Sequence, residues 1–326
     1  MSDLKHKIIA AVSGELEDIE LELAQNLNPY LDLVSRVAGH ILFSGGKRLR
    51  PLLTVLSARL CGYSGNYEKT LSVVFEYLHA ATLLHDDLVD GALLRRGKPV
   101  AHSVWDIPTA VLVGDFLLAR SLSIAAETGL TGIIKIIAEI TENMSQGEIH
   151  QLSRKGALDL SEAEYMEIIQ RKTAFLFQGA CRVSAIMAGS PEAAESALSK
   201  YGYNLGIAFQ MADDLLDYTM DTGALGKAVG ADLKEGKVTL PVIYALQAAS
   251  SKDLDFIIKI IKDTNFTRGD FEKLIGLLKK YGGLTYTTNL AKNHVEKAKG
   301  ALSIFSPSPT REILFMLADY AVARRA

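Results

Sequence analysis

The 326 residues predict an all-α protein, and three observations carry that reading. Apolar residues recur every three or four positions along almost the whole chain, the spacing of one buried helix face. Helix start and stop signals are frequent, while prolines number only 8, which suits long uninterrupted helices. Alternating apolar and polar runs bounded by turns, the mark of half-buried strands, are scarce.

Taken in order, Leu4, Ile8, Val12, Leu16, Ile19 and Leu23 form the stripe of a first helix. Asn28-Pro29 reads as an N-cap followed by proline at the first helical position, and Gly45-Gly46 as the end of that second helix. Pro51 opens the next. The apolar stretch around Ile133–Ile140 is broken by Lys135 and Glu139 and so does not read as a membrane span. Ser161 and Glu164 have capping-box spacing, and Ser190-Pro191 and Ser308-Pro309 mark later starts. Roughly a dozen helices are expected. The glycine-bearing polar stretch Asp221–Lys237 reads as a functional loop. With no Pro-, Gly- or Ser-rich linker and no repeat, residues 1–326 are expected to form one domain.

Composition excludes several classes. A net charge of −3 lacks the basic face of a general nucleic-acid binder. Two cysteines, Cys61 and Cys181, make neither a disulfide framework nor a zinc pattern, and fit a reducing, cytoplasmic setting. The N-terminal residues lack the pattern of a signal peptide, and no run of about 18 apolar residues suggests a spanning helix. A peripheral membrane contact remains compatible with the sequence.

The chemistry sits in two aspartate clusters. In Thr82-Leu83-Leu84-His85-Asp86-Asp87-Leu88-Val89-Asp90, a helix turning about 100° per residue puts Asp86 and Asp90 on one face, with Asp87 beside them. Ala212-Asp213-Asp214-Leu215-Leu216-Asp217 repeats the layout, with Asp213 and Asp217 sharing a face. One such cluster alone reads equally well as a solvated acidic surface. Two, each flanked by apolar residues, favour magnesium sites: crowded carboxylates repel, and a hard dication relieves the repulsion while keeping positions open for phosphate. The EF-hand spacing is absent.

Basic residues answer the acids. Gly45-Gly46-Lys47-Arg48-Leu49-Arg50-Pro51 lies between two helices, where Lys47 and Arg50 can reach the phosphates of a second substrate. Arg95-Arg96 follows the first cluster, and Lys227 and Lys237 lie in and beside the glycine-bearing loop. His79 is seven residues before Asp86 and on nearly the same helical face, which favours a phosphate contact over a structural role.

Through these motifs the chain resembles the trans-isoprenyl diphosphate synthases, or polyprenyl synthetases, over roughly Leu42 to Pro241. Further markers are Lys172-Thr173, the stretch Gly206–Tyr218, and Gly226-Lys227 through Asp232 to Glu235-Gly236-Lys237-Val238-Thr239-Leu240-Pro241. The resemblance implies an antiparallel helical bundle around a deep apolar cavity and a homodimer. It also implies magnesium-dependent condensation of isopentenyl diphosphate with an allylic diphosphate such as farnesyl diphosphate. Asp86, Asp87, Asp90, Asp213, Asp214 and Asp217 would bind magnesium and through it the allylic diphosphate. Arg95, Lys172, Lys227 and Lys237 would contact that diphosphate, and Lys47, Arg50, His79 and Arg96 would hold isopentenyl diphosphate. Thr173 and Gln210 would turn dipoles toward the developing allylic cation.

In the family, bulky aromatics four and five residues before the first aspartate keep products short. Here those places hold Thr82 and Ala81, so a long, octaprenyl-like chain for quinone side chains is expected. Thr82 lies one turn below Asp86, whereas Ala81 lies off that face. A shorter-chain synthase, a terpene cyclase and a non-catalytic partner subunit are the competing readings. The second diphosphate site argues against the cyclase, and the intact acids against the inactive partner.

Overall fold

The computed structural model describes residues 2–219, 230–263 and 265–323. Helices dominate: α1 (Ser2–Ala11), α2 (Ser13–Gln25), α3 (Asp32–Leu42), α4 (Leu49–Leu60), α5 (Tyr67–Val89), α6 (Ala101–Val104), α7 (Ile107–Glu127) and α8 (Thr131–Ser153) form the first half. The second holds α9 (Glu162–Ile169), a π-helical turn (Gln170–Ala174), α10 (Phe175–Met187), α11 (Glu192–Thr219), α12 (Ala231–Lys234) and α13 (Leu240–Ala248). After these come α14 (Ser251–Lys262), α15 (Arg268–Lys280), α16 (Gly283–Ala301) and α17 (Pro309–Ala323).

Segments outnumber the expected dozen because long helices are interrupted. The first stripe is broken at Val12, where ψ of 19° ends α1. The stripe itself survives the kink: Ile8, Val12, Ile19 and Leu23 are all buried, and Leu4 and Leu16 pack against them. Asn28-Pro29 is not a helix start. Asn28 adopts φ +36°, and α3 begins only at Asp32, capped by Leu31. An asparagine tolerates left-handed backbone, so the dipeptide makes a turn instead of a cap. The capping box at Ser161 and Glu164 forms as expected, and Ser308 accepts the Arg311 N–H ahead of α17.

The hairpin β1 (Leu94–Arg95) and β2 (Lys98–Pro99) has no period-two signal, being two residues long on each side. Its turn places both Arg96 (φ +52°) and Gly97 (φ +75°) in left-handed backbone, the geometry of a tight hairpin.

Two apolar clusters hold the helices together. The larger joins α4, α5, α7, α8 and α10 around Leu53, Phe75, Leu78, Leu117, Ile137 and Phe177. The smaller joins α9, α13, α14 and α15 around Ile169, Leu240, Ile257 and Phe271. The 28-residue α11 belongs to both, through Leu205 and Ala208 on one side and Ile207 and Met211 on the other. Burying each such side chain contributes roughly 1.5–3 kcal/mol. That ties α5 and α11, the carriers of the two aspartate clusters, into a common scaffold.

The expectation that no segment is apolar enough to span a bilayer fails for α7, which has both the length and the composition. Asp115 and Arg120 interrupt it, and its inner face, Ala110, Val113, Leu117, Ile124 and Ala125, is buried in the core. Its other face exposes Ile107, Val111, Leu112 and Leu122.

Candidate active site

The C-terminal end of α5 supplies the first wall. Asp86 and Asp90 are half-buried on one face, Asp90 serving as the C-cap of the helix. Asp87 turns the other way and is 2% exposed. The hairpin swings Arg95 onto it: Nε donates to both carboxylate oxygens at 2.8 and 3.0 Å, and the guanidinium closes to 2.6 Å. Arg96, at the turn, points instead toward Ser44, just ahead of Gly45-Gly46. The hairpin thus delivers its two arginines to different places.

The π-helical turn brings in Lys172 and Thr173. A single π turn inside an α-helix commonly marks a functional site. Two glycines permit it here. A Cβ on Gly147 of α8 would sit 2.8 Å from the Lys172 nitrogen, and one on Gly206 of α11 would sit 2.6 Å from the Ala174 Cα. Lys172 donates to the Gln151 side-chain oxygen Oε1 at 2.8 Å, contacts Glu148, and approaches Asp86 to 4.0 Å.

The second wall is α11. Thr173 donates to Gln210 at 2.8 Å, and the Gln210 amide donates to Asp214 at 2.8 Å. Tyr165 of α9 donates to the other Asp214 oxygen at 2.6 Å. Asp214 is buried by these contacts, Asp213 is exposed at the rim, and Asp217 accepts the Ala231 N–H at 3.1 Å. The 230–237 stretch then returns to the first wall, where Lys237 bonds Asp90 at 3.0 Å and Glu235 at 2.6 Å. The two clusters are therefore linked twice, through Lys172-Thr173–Gln210–Asp214 and through Asp90–Lys237 to Asp217. Lys227 lies outside the described residues.

Asp86 and Asp214 are poorly compensated by the protein alone. Burial, with Glu148 and Asp90 adding to it against Lys172, pushes the Asp86 carboxyl up to about 6. Burial and the neighbouring Asp232 push Asp214 up to about 7. Burial would raise Asp90 too, but Lys237 and Lys155 outweigh it and hold it below the usual range. Burial likewise opposes the charge on Lys237, yet Glu235 and Asp90 raise its pKa well above the ordinary lysine value.

Beside the acids lies a basic group. The Gly45–Pro51 loop is anchored by Arg48, whose buried guanidinium bonds Glu20 at 2.6 Å, Glu76 at 2.9 Å and the Leu42 carbonyl at 2.6 Å. With Arg48 so used, its neighbours face elsewhere: Lys47 lies 5.4 Å from the Tyr320 ring centre, and Arg50 4.8 Å from that of Phe177. His79 is driven well below its ordinary pKa, first by burial and then by Arg50, Arg96, Arg95 and Arg48. That places His79 as a neutral imidazole among arginines. One turn before Asp86, Thr82 is partly accessible and bonds the His79 carbonyl at 3.0 Å, whereas Ala81 is fully buried.

Several of these residues carried no sequence signal. Glu148, Gln151, Lys155 and Tyr165 sit on elements without a recognisable motif, and only tertiary packing brings them to the aspartates. Tyr165 alone was near a legible feature, the capping box that starts its helix.

The donor set suits a hard dication: carboxylate oxygens, two of them on one face of α5, with Asp86 destabilised until positive charge arrives. Among the described residues no three acids or histidines close around one point.

Residues 31–278 match the family model described as polyprenyl synthetase. The chain is 37% identical over 318 residues to octaprenyl diphosphate synthase of Escherichia coli strain K12, covering 98% of each. It is 35% identical to a short chain isoprenyl diphosphate synthase of Methanothermobacter thermautotrophicus, over 89% of this chain and 90% of that one. Among solved structures, a polyprenyl synthase from Caulobacter crescentus complexed with calcium and isoprenyl diphosphate superposes with a TM-score of 0.93. It is 41% identical, and 98% of both chains is covered.

Proposed function

The chain belongs to the polyprenyl synthetase family and is a prenyl diphosphate synthase, and from that premise we propose that it builds a long, octaprenyl-like all-trans chain. The reaction would be magnesium-dependent, sequential 1'-4 condensation of isopentenyl diphosphate onto an allylic diphosphate such as farnesyl diphosphate, for quinone side chains. The observation that carries the reading is the double linkage of the two aspartate clusters into a single rim, with a separate arginine group beside it.

Asp86, Asp90, Asp213 and Asp217 are the oxygen donors that would hold magnesium, with Asp87 and Asp214 buried behind them. Bound there, magnesium would supply positive charge to the departing diphosphate. Lys172, Lys237 and Arg95 add fixed cations around the same leaving group, preorganised by Gln151, Glu235 and Asp87. Arg50 and Arg96, with the neutral His79 beside them, and Lys47 on the same loop as Arg50 suit a second diphosphate that arrives without metal, namely isopentenyl diphosphate. Its double bond then attacks the allylic cation, toward which Thr173, steadied by Gln210, turns its oxygen, and the resulting cation loses a proton to the released diphosphate. Apolar helical walls exclude water, which would otherwise quench the cation.

A homodimer is part of the proposal: a second copy is the natural cover for the exposed apolar face of α7. So are one domain over residues 1–326 and a cytoplasmic setting, which the two free thiols fit. The decisive experiment incubates the purified chain with farnesyl diphosphate, isopentenyl diphosphate and magnesium and sizes the product. Long chains are expected. A product stopping at geranylgeranyl length would favour the short-chain reading that the archaeal relative keeps in play. Thr82→Phe is expected to shorten the product. Ala81→Phe is the poorer probe, because a ring at a fully buried position overpacks the core.

A further inference from the structure

Asp90 carries an ammonium group on each of its oxygens, and the two come from distant parts of the chain. Lys155 places Nζ 3.2 Å from Oδ1, and Lys237 places Nζ 3.0 Å from Oδ2. Lys155 lies just past the end of α8, on a turn stapled to the Lys237 segment: the Gly156 N–H donates to the Gly236 carbonyl at 2.8 Å. A Cβ on Gly236 would already touch the Lys155 side chain at 3.4 Å. The bracketing of one carboxylate by two lysines is thus set by backbone geometry.

The two lysines are not equivalent. Lys237 is 14% exposed and is tethered by a second acid, Glu235, at 2.6 Å. Lys155 is 30% exposed, and among the described residues Asp90 is the acid found against it. Each Asp90 oxygen keeps a second lone pair, so the lysines do not block ligation, but an ammonium group beside each oxygen repels an incoming dication, and that repulsion falls if one of them moves away. The doubly paired, half-buried Lys237 is held in place. Lys155 has solvent on one side, and a flexible point charge on a four-carbon stem can leave one anion for another nearby.

We propose that Lys155 is a displaceable counter-ion of Asp90: it occupies Oδ1 before the dication binds and transfers to the incoming diphosphate when the dication takes its place. The proposal rests on the reading of Asp90 as a metal ligand. It makes Lys155 a positioning residue for the metal-bound diphosphate that no motif marks. It also predicts effects of opposite sign on two ligands, which a lysine merely bracing the turn would not produce.

The test uses the full chain and its Lys155→Gln and Lys155→Arg variants. Binding of Mn2+ alone is measured by electron paramagnetic resonance of the free ion, and binding of inorganic pyrophosphate at saturating Mn2+ by calorimetry. Lys155→Gln is expected to bind Mn2+ about threefold more tightly, the scale of a partly exposed ion pair removed from competition. The same variant is expected to bind pyrophosphate roughly tenfold more weakly, the scale of one lost charge-assisted contact. Lys155→Arg should restore pyrophosphate binding. If Lys155→Gln weakens both ligands, leaves both unchanged, or tightens Mn2+ with pyrophosphate unaffected, the proposal is overturned while the metal reading stands. If the parent chain binds no Mn2+ that Asp90→Asn removes, the metal reading falls first and takes this inference with it.

Discussion

The two aspartate clusters share one pattern and live in different electrostatic settings. On α5 the middle aspartate, Asp87, is paired with a guanidinium, and the last, Asp90, with two ammonium groups. On α11 the middle aspartate, Asp214, is held by a phenol and an amide, and the last, Asp217, accepts a backbone N–H. Charge answers charge in the first cluster, whereas neutral dipoles do so in the second. A hydrogen bond from a neutral donor stabilises a buried carboxylate less than a cation does. Burial and Asp232 lift Asp214 to about 7 with only neutral donors opposing them, while Lys237 and Lys155 overcome burial and hold Asp90 below its ordinary value. A repeated motif therefore does not imply a repeated role, and the contrast can be attacked residue by residue.

The largest effect should come from the outer aspartates. Asp86→Asn is expected to lower turnover on the order of 10²–10³-fold, the cost of losing one charge-stabilising group at a reacting centre. Because Asp86 is disfavoured as an anion where it sits, the same variant should melt no lower than the parent at pH 7 without metal. Steady-state rates beside thermal melts check this. A drop in melting temperature matching the loss of rate would mean that Asp86 holds the fold, and the division between outer and middle positions would collapse.

The middle aspartates should separate next, and in stability. Asp87→Asn leaves Arg95 facing an amide and should cost about 2 kcal/mol, below the figure for a fully buried pair because Arg95 keeps some solvent contact. Asp214→Asn replaces a carboxyl already near half-protonation at pH 7 by its neutral isostere, and should cost about 1 kcal/mol or less. Urea melts of both variants read the difference directly. Equal costs would show that Tyr165 and Gln210 compensate the Asp214 charge as fully as Arg95 compensates Asp87.

How much of this was legible beforehand divides along the same line between local and distant contacts. Spacing alone put Asp86 with Asp90 and Asp213 with Asp217, because a helix fixes what lies four residues away. The Ser161–Glu164 box was equally local. The inward turn of Asp87 was not legible, because it depends on a hairpin whose strands are two residues long. Nor was the π turn at Lys172, which needs Gly147 and Gly206 on two other helices to let backbone approach. Asn28-Pro29 misled because asparagine serves a left-handed turn as readily as a cap. Tyr165, Glu148 and Lys155 meet the aspartates only across packed helices, and no pattern within their own segments reports that.

The smallest and most diagnostic effect is in pH. Asp86 and Asp214 both have folded-state values above the ordinary 3.8, at about 6 and about 7. Between the unfolded and folded values the native chain holds more protons than the unfolded one. Their contribution to stability is then complete below about pH 4 and is lost as pH rises through 6 and 7. The metal-free protein should therefore lose thermal stability across about pH 4 to 7 on account of these two groups. Magnesium, by favouring the Asp86 anion, should flatten the lower part of that fall and leave the upper part, which belongs to Asp214. Tyr165→Phe sharpens the assignment. It removes a donor that favours the Asp214 anion, so the upper part should move to still higher pH, at an overall cost of about 1 kcal/mol. Melting curves at half-unit pH steps, with and without magnesium, follow both parts. If Tyr165→Phe shifts the lower part instead, the neutral-dipole account of the second cluster is wrong.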